Sequence, residues 1–389
     1  MEKLLAKLRG ILAKLPTEAR EGLASSKITD YLHAQHALHR LVSDGGLDNL
    51  LADSGVWSRP TGMQVLVTSA SRLDKDDIAI WLVARAIRVG EAAALDELVR
   101  YSTTSTVVVR EVLVLDGVHA RAGVELASRI RLEPLTSLQP SFFRAQWHDP
   151  GRRAALVRSF DHDVVWKGDD DQLPPEMFEI AQDQTLADVA RVFTLLKGAA
   201  PAVVAHWWEH DPSTPSRTPT SGASSTNGFE ASFLPFEIEG TALDLIRSCS
   251  QKFQNCSPKL LRVLRVVLDR LNAAKRRSGA VNRAIELGVA AEALFLRYSG
   301  EDRAELSFRL ANRAAWFLGS SRAHREEIFD CFRAVYEARS TAVHNGEVPA
   351  KVRKRDVVEV LAQGCELLEL AVMATLNEPD KDLTRLHLG

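Results

Sequence analysis

The sequence predicts an α+β N-terminal region followed by an all-α C-terminal helical bundle, and three observations carry that expectation. Between residues 62 and 240, runs rich in β-branched side chains alternate with stretches of helical periodicity. Residues 211–228, DPSTPSRTPTSGASSTNG, hold almost no apolar side chain and are crowded with Pro, Gly, Ser and Thr, the composition of a flexible linker or loop. After residue 240 nearly every window is helical in period, and the interruptions are short. The expected division is 1–57 as an N-terminal helical segment, 58–210 as an α+β domain, 211–228 as linker or loop, and 229–389 as the bundle.

The elements follow in order. MEKLLAKLRGILAKLP (1–16) places Leu4, Leu5, Leu8, Ile11, Leu12 and Leu15 at helical spacing with lysines opposite and Pro16 closing the segment, so an amphipathic helix docked on the protein's own core is expected. Glu2, Glu18 and Glu21 argue against a targeting peptide, as does the lack of a long apolar run with a cleavage site. The next helix carries His33, His36 and His39. Steps of three residues fan these rings over about 120°, a loose metal clamp, so surface or interface histidines are expected. MQVLVTS (63–69), TVVVREVLVLD (106–116) and GVELASRIRLEPL (123–135) read as strands punctuated by Asp116-Gly117, while 76–101 and 186–210 read as helices. FEASFLPFEIEG (229–240) reads as a last strand or extended segment. Helices are then expected over 241–255, 258–276, 280–298, 303–318, 323–344 and 353–376, punctuated by Ser257-Pro258, Ser278-Gly279, Ser299-Gly300, Gly319 and Asn345-Gly346. Short connections between such helices imply antiparallel neighbours.

The 389 residues suffice for two or three domains, and 46% apolar with 26% charged residues excludes a largely disordered, collagen-like or disulfide-dense chain. Forty-nine basic side chains face 51 acidic ones, so the net charge does not advertise nucleic acid or membrane, although a local basic groove is compatible with it. Cys249, Cys256, Cys331 and Cys365 show neither C-x-x-C pairing nor regular spacing, which points to reduced thiols and a cytoplasmic setting. No run approaches the roughly 18 apolar residues of a spanning helix, so no membrane partner is expected.

The most informative stretch is AVYEARSTAVHNGEVP (334–349), in which four residues separate Arg339 from His344. A guanidinium keeps its charge and suits phosphate or a phosphorane, whereas an imidazole titrates near neutrality and can take a proton from a ribose 2′-hydroxyl or return one to the leaving oxygen. Five residues advance a helix by about 500°, so the two side chains stand about 140° apart and do not share a face. Asn345-Gly346 is a natural left-handed helix stop that puts His344 in the last turn, and pairing two such turns across a dimer can assemble a composite site.

R-x4-H alone is a weak pattern, and its surroundings strengthen it. LDRLNAAKRRSGAVNRAIELGVAAEALF (268–295), RLANRAAWFLG (309–319) and VYEARSTAVHNG (335–346) follow one another on successive helices. Over roughly 240–376 this order resembles the HEPN superfamily, named for higher eukaryote and prokaryote nucleotide-binding domains, and especially the ApeA-like families of bacterial anti-phage proteins. The resemblance implies an all-α, HEPN-like bundle that forms a homodimer, with a metal-independent endoribonuclease site between protomers and no cofactor. It passes the catalytic roles to Arg339 and His344. Where family members often carry Asn, Asp or His after the arginine, this chain has the polar Ser340. Ser340, Asn345, Tyr336, Glu292 and Arg313 are candidate supporting residues. RNA, including tRNA, is the implied substrate, abortive anti-phage defence the implied setting, and a phage-derived trigger sensed through the first 240 residues the implied control. A weaker likeness to the α+β portions preceding such bundles lies in VLVLDGVHARAGVELASRIRLEPL (112–135). The alternative is a non-catalytic module that binds RNA, a nucleotide or a protein and only dimerises.

Between Ser257 and Ile285 eight basic residues face the single acid Asp269. Arg270, Lys275, Arg276, Arg277 and Arg283 are the RNA-binding candidates of that tract, which reads equally as a phosphate-tracking surface and as a solvated helix face. Glu292, amid apolar neighbours, needs a partner, and Arg313 on the next helix is the expected one, in a structural pair. Tyr336, three residues before Arg339, shares its helix face and is expected to pack or to position RNA.

One rival motif is His206-Trp207-Trp208-Glu209-His210, an H-x-x-E-H string like that of inverted zinc peptidases, with Glu286 as a conceivable third ligand. Asp211-Pro212 ends that segment at once, and nothing nearby supports the motif, so no metal is expected. Asp161-His162-Asp163 with Asp169-Asp170-Asp171 reads as an acidic loop rather than a cation site. GxxxxGK[ST], GxGxxG and G-x-S-x-G are absent from the sequence.

Overall fold

The computed structural model describes residues 2–25, 27–57, 62–66, 69–139, 141–149, 151–167, 183–216, 220–225, 235–297, 305–381 and 383, with backbone alone for 24, 52, 62–66, 69–72, 165–167 and 220–225. The chain forms two compact units, each discontinuous in sequence. One comprises Met1–Leu115, His119–Leu186 and Val203–Asn227, the other Asp116–Val118, Ala187–Ala202 and Gly228–Gly389. Among the described residues no helix is long and apolar enough to cross a membrane.

The first unit opens with helices α1 (Glu2–Lys14), α2 (Thr17–Ala24), α3 (Ile28–Gly45) and α4 (Leu47–Asp53). Strands β1 (Gly62–Leu66) and β2 (Ser69–Leu73) come next, then α5 (Lys75–Val89) and α6 (Glu91–Thr103). Leu4, Leu8 and Ile11 of α1 are buried against Leu38 and Val42 of α3 and Leu82 of α5, so the opening amphipathic helix docks on its own core, as expected. His33, His36 and His39 are exposed on α3. The helical run expected over 76–101 is two helices, because Gly90, at φ 86°, holds a conformation that L residues disfavour and cannot continue α5. A capping box between Asp74 and Asp77 starts α5.

There follow β3 (Thr106–Asp116), β4 (Val118–His119), β5 (Val124–Ala127), β6 (Ile130–Pro134), α7 (Phe142–Trp147), β7 (Arg153–Asp163), β8 (Val165–Lys167), α8 (Thr185–Val192), β9 (Ala202–His210) and β10 (Thr220–Ser225). The main sheet has the order β10-β9-β3-β7-β6-β5, and β2-β1-β8 form a second, antiparallel one. β3 is buried along its second half, as befits an interior strand. The helix expected over 186–210 is corrected: α8 gives way to a 3-10 turn (Phe193–Leu195), Gly198 turns at φ 81°, and Ala202–His210 is a strand. Pro201 denies a helix its N–H, and Val203, Val204, Trp207 and Trp208 suit a pleated surface. The expected linker 211–228 is in part an edge strand, since β10 pairs antiparallel with β9 from Thr220↔Glu209 to Ser225↔Ala205. Backbone pairing needs no apolar side chain.

The second unit holds β11 (Phe236–Glu237) and then α9 (Gly240–Gln254), α10 (Pro258–Arg276), α11 (Ala280–Phe295), α12 (Leu306–Leu318), α13 (Arg322–Asn345) and α14 (Val357–Asn377). Ser257 caps α10 by accepting from the Leu260 amide at 3.3 Å, and Pro258 occupies the first turn. Phe295 packs edge-on against Phe332 (5.3 Å) and Phe317 (6.5 Å), at the centre of an α11, α12 and α13 core. The helix expected from 353 starts at Val357. Before it β12 (Lys351–Val352) and β13 (Arg355–Asp356) pair across Arg353 and Lys354, both at positive φ.

Candidate functional site

Arg339 lies on the buried side of α13, which runs unbroken from Arg322 to Asn345. Its aliphatic stem crosses α11 where that helix has no side chain: a Cβ on Gly288 would stand 2.5 Å from Arg339 Cγ. One turn further along α11, Glu292 Oε2 accepts from Arg339 Nη2 at 3.3 Å. Gly288 and Glu292, four residues apart, thus share a helix face and cradle stem and head. The guanidinium also lies 5.9 Å from the Tyr336 ring, so Tyr336 and Arg339 meet as their spacing requires. Arg339 and Glu292 are about a quarter exposed, and Arg339 Nε donates to no acceptor among the described residues.

His344 and Asn345 are exposed in the last turn, Ser340 is half-buried, and Val343 is 51% exposed. The expected stop is realised: Gly346 adopts φ 73° and its amide donates to Ala342 O. Because α13 is a single helix through both residues, Arg339 and His344 stand about 140° apart around its axis. The fold of one chain therefore gathers Arg339, Glu292, Tyr336 and Gly288, and leaves His344 outside that group. Gly288 was missed from sequence; its only signal is a glycine in the interior of a helix, four residues before Glu292.

The expected Glu292–Arg313 pair is corrected. Glu292 takes its ion pair from Arg339, while Arg313, buried, donates to the Phe295 carbonyl at 2.8 Å. Phe295 ends α11, where a carbonyl lacks an intrahelical donor, so Arg313 satisfies a helix terminus.

Part of the basic tract is spent on the fold. Arg265 clamps both Asp188 oxygens at 2.8 and 2.7 Å, and Arg270 pairs with Glu286 at 3.0 Å. Lys275 is not a surface cation: its side chain is 9% exposed and donates to the carbonyls of Thr194 (2.8 Å) and Leu196 (3.0 Å) and to Glu369 (2.7 Å). Burial pushes the Glu369 carboxyl up, and Lys275 opposes it. Arg276, Arg277 and Arg283 are half-buried, and Arg283 approaches Cys365 Sγ at 4.0 Å. Of the five candidates Lys275 is thus turned into the fold, whereas the Arg270 side chain is 51% exposed.

The H-x-x-E-H string lies on β9, not on a helix. Alternation sends His206 and Glu209 to opposite faces, and His206 and His210, four residues apart in a strand, are separated by about 13 Å. His206 instead meets Glu111 at 3.0 Å, Glu209 is fully buried beside Arg110 at 3.6 Å, and Glu286 is engaged by Arg270. Burial pushes the Glu209 carboxyl up and the His210 imidazole down to about 4. Among the described residues no three His, Cys, Asp or Glu side chains are placed to hold a metal ion. Asp161 pairs with Arg129 and Asp163 accepts from Thr106, whereas 169–171 lie outside the described residues. The four cysteines are buried free thiols. No family model, no curated protein and no solved structure matches this chain.

Proposed function

We propose that the helical unit is a metal-independent endoribonuclease of HEPN type, acting as a homodimer with Arg339 and His344 as the reacting groups. His344 of one protomer takes the proton of the ribose 2′-hydroxyl as that oxygen attacks the adjacent phosphorus. A second His344 returns a proton to the departing 5′-oxygen, leaving a 2′,3′-cyclic phosphate and a 5′-hydroxyl. Arg339 stabilises the charge on the phosphorane oxygens. What supports this reading is the placement of Arg339: its stem runs over Gly288, its Nη2 is held by Glu292, its Nε has no acceptor among the described residues, and the exposed His344 follows five residues later. Two such helix ends supply what the roughly 140° separation denies to one chain. RNA, with tRNA foremost, is the substrate in this reading, anti-phage defence its setting, and the N-terminal unit its control.

A second reading, a non-catalytic dimerisation and binding module, is favoured by the engagement of Arg339 with Glu292 and by the exposed Val343 beside His344, which suits a protein contact. Incubation of purified protein in EDTA with tRNA and unstructured RNA separates the two. Cleavage by the wild type, with cyclic-phosphate ends, and its loss in folded, dimeric His344→Ala and Arg339→Ala variants is the expected result. Equal RNA binding with no cleavage by wild type or His344→Ala would move the binding module ahead, and equal cleavage by both would remove His344 from the chemistry.

A further inference from the structure

The first unit contains a cavity of about 580 Å3 built wholly from its own segments, well within the range of roughly 300–1,000 Å3 typical of small-molecule sites. Four arginines reach it, Arg20, Arg85, Arg88 and Arg144, against a single lining carboxylate, Asp211. Two of these cations have identifiable duties. Arg85 is held bidentately by Glu97 at 2.6 and 2.8 Å, and Arg20 donates to the Leu12 carbonyl. Arg144 is buried and donates through Nη1 to the carbonyl of Leu138 (2.9 Å) and through Nη2 to that of Ser25 (3.3 Å), both of them neutral acceptors. Arg88 makes no hydrogen bond or ion pair with any described residue. Asp211 is occupied in turn, its Oδ1 accepting from the Ser213 amide (2.9 Å) and hydroxyl (2.5 Å).

The rest of the wall is apolar and aromatic, with Leu38, Ile80 and Trp81. The Trp81 indole is fixed by its Nε1 donating to the Pro212 carbonyl at 3.2 Å. His210 also lines the cavity; it is 3% exposed, and its Nδ1 has no hydrogen-bond partner among the described residues. Partial burial disfavours the charged form of Arg88 and Arg85 adds to that cost, while burial and the Arg88 charge do the same to Arg144, which Glu209 offsets in part. A group that relieved both would carry more than one negative charge. Phosphate monoesters carry about −1.5 to −2 at pH 7, and the guanidinium fork matches their oxygens.

We propose that this cavity binds a small phosphate monoester with a flat apolar body, of nucleoside-monophosphate size, with Arg88 as its principal phosphate ligand, Trp81 against the body and His210 Nδ1 as a polar contact. The site involves no residue of α11 or α13, so it stands or falls apart from the ribonuclease reading.

Calorimetric titration of the full-length chain with AMP, GMP, CMP and UMP, and with adenosine, inorganic phosphate and benzoate, tests it. At least one nucleoside monophosphate should bind at one site per chain, more tightly than its nucleoside, inorganic phosphate or the monoanion benzoate. Arg88→Gln should weaken that binding about tenfold to a hundredfold, and Arg88→Lys less, because a charge-assisted bond to phosphate is lost or only reduced to a point charge. Arg88 is solvent-accessible, and unchanged thermal midpoints would show that both variants fold. The proposal is overturned if no monophosphate binds, if Arg88→Gln leaves binding unchanged, or if adenosine or benzoate binds as tightly.

Discussion

Gly288 and Arg339 show how a missing side chain on one helix sets the course of a long one on the next. Adding a methyl at Gly288 would press it to 2.5 Å from Arg339 Cγ, while relieving the helix of its least favourable ordinary residue. Overpacking costs about 1–3 kcal/mol and the Gly→Ala helix gain is about 1, so Gly288→Ala should lower stability modestly in urea denaturation. If Arg339 acts on RNA, the same variant should lose cleavage with His344 intact; unaltered activity would show that the cradle does not matter. His210 makes a residue-scale prediction of a different kind. Its imidazole titrates at about 4 in the fold against about 6.5 when unfolded, so its contribution is complete above about pH 6.5 and is lost as pH falls toward 4. The whole effect is on the order of 3 kcal/mol. His162, pushed down by burial, has the same sign, whereas Glu209, pushed up, has the opposite one. Denaturation midpoints of wild type and His210→Gln, compared between about pH 7 and pH 5, isolate the His210 share: the variant should lose less stability on acidification.

At the scale of elements, the charged face of α10 does the work of a seam. Arg265, Asn272 and Lys275 bind Asp188 and the carbonyls of Pro201, Thr194 and Leu196, so α8 and the turn after it are tied down by side chains of which one, Lys275, was an RNA-binding candidate. Lys275→Met would strip Glu369 of its cation in a buried position, a change that typically costs about 3–5 kcal/mol. The expected result is a clear drop in thermal midpoint with RNA affinity of the folded protein unchanged. A variant of wild-type stability that binds RNA weakly would return Lys275 to the phosphate surface. The β9 strand teaches the same lesson in reverse, since a string with zinc-peptidase spacing loses its convergence when the period changes from 3.6 to 2.

For the whole molecule, the discontinuity of the two units has a practical consequence. A fragment spanning 229–389 omits residues 187–202 and so removes Asp188 from Arg265, the Pro201 carbonyl from Asn272 and two of the three acceptors of Lys275. Each lost charged contact is worth about 1.5–3 kcal/mol, so the fragment should be markedly less stable than one spanning 187–389, as circular dichroism melts would show. Equal melting temperatures would mean that the bundle does not depend on the earlier segment.

Much of the helical half was legible because its signals are local. Ser257-Pro258 starts α10, Asn345-Gly346 ends α13, and the apolar period between them needs no distant partner to be recognised. The candidate site was legible only as residue types: Arg339, Glu292 and Tyr336 were each singled out, yet Glu292 was matched to Arg313, because a carboxylate amid apolar neighbours announces that it needs a cation and not which one. Sequence by itself determined the α+β and helical halves, the helix caps and the spacing that keeps Arg339 and His344 on different faces. Tertiary structure alone decided that Lys275 is held by Thr194, Leu196 and Glu369, that Gly288 opens a path for Arg339, and that arginines from three helices converge on one cavity. Those outcomes depend on contacts between residues tens to hundreds of positions apart, where packing and charge pairing override local propensity.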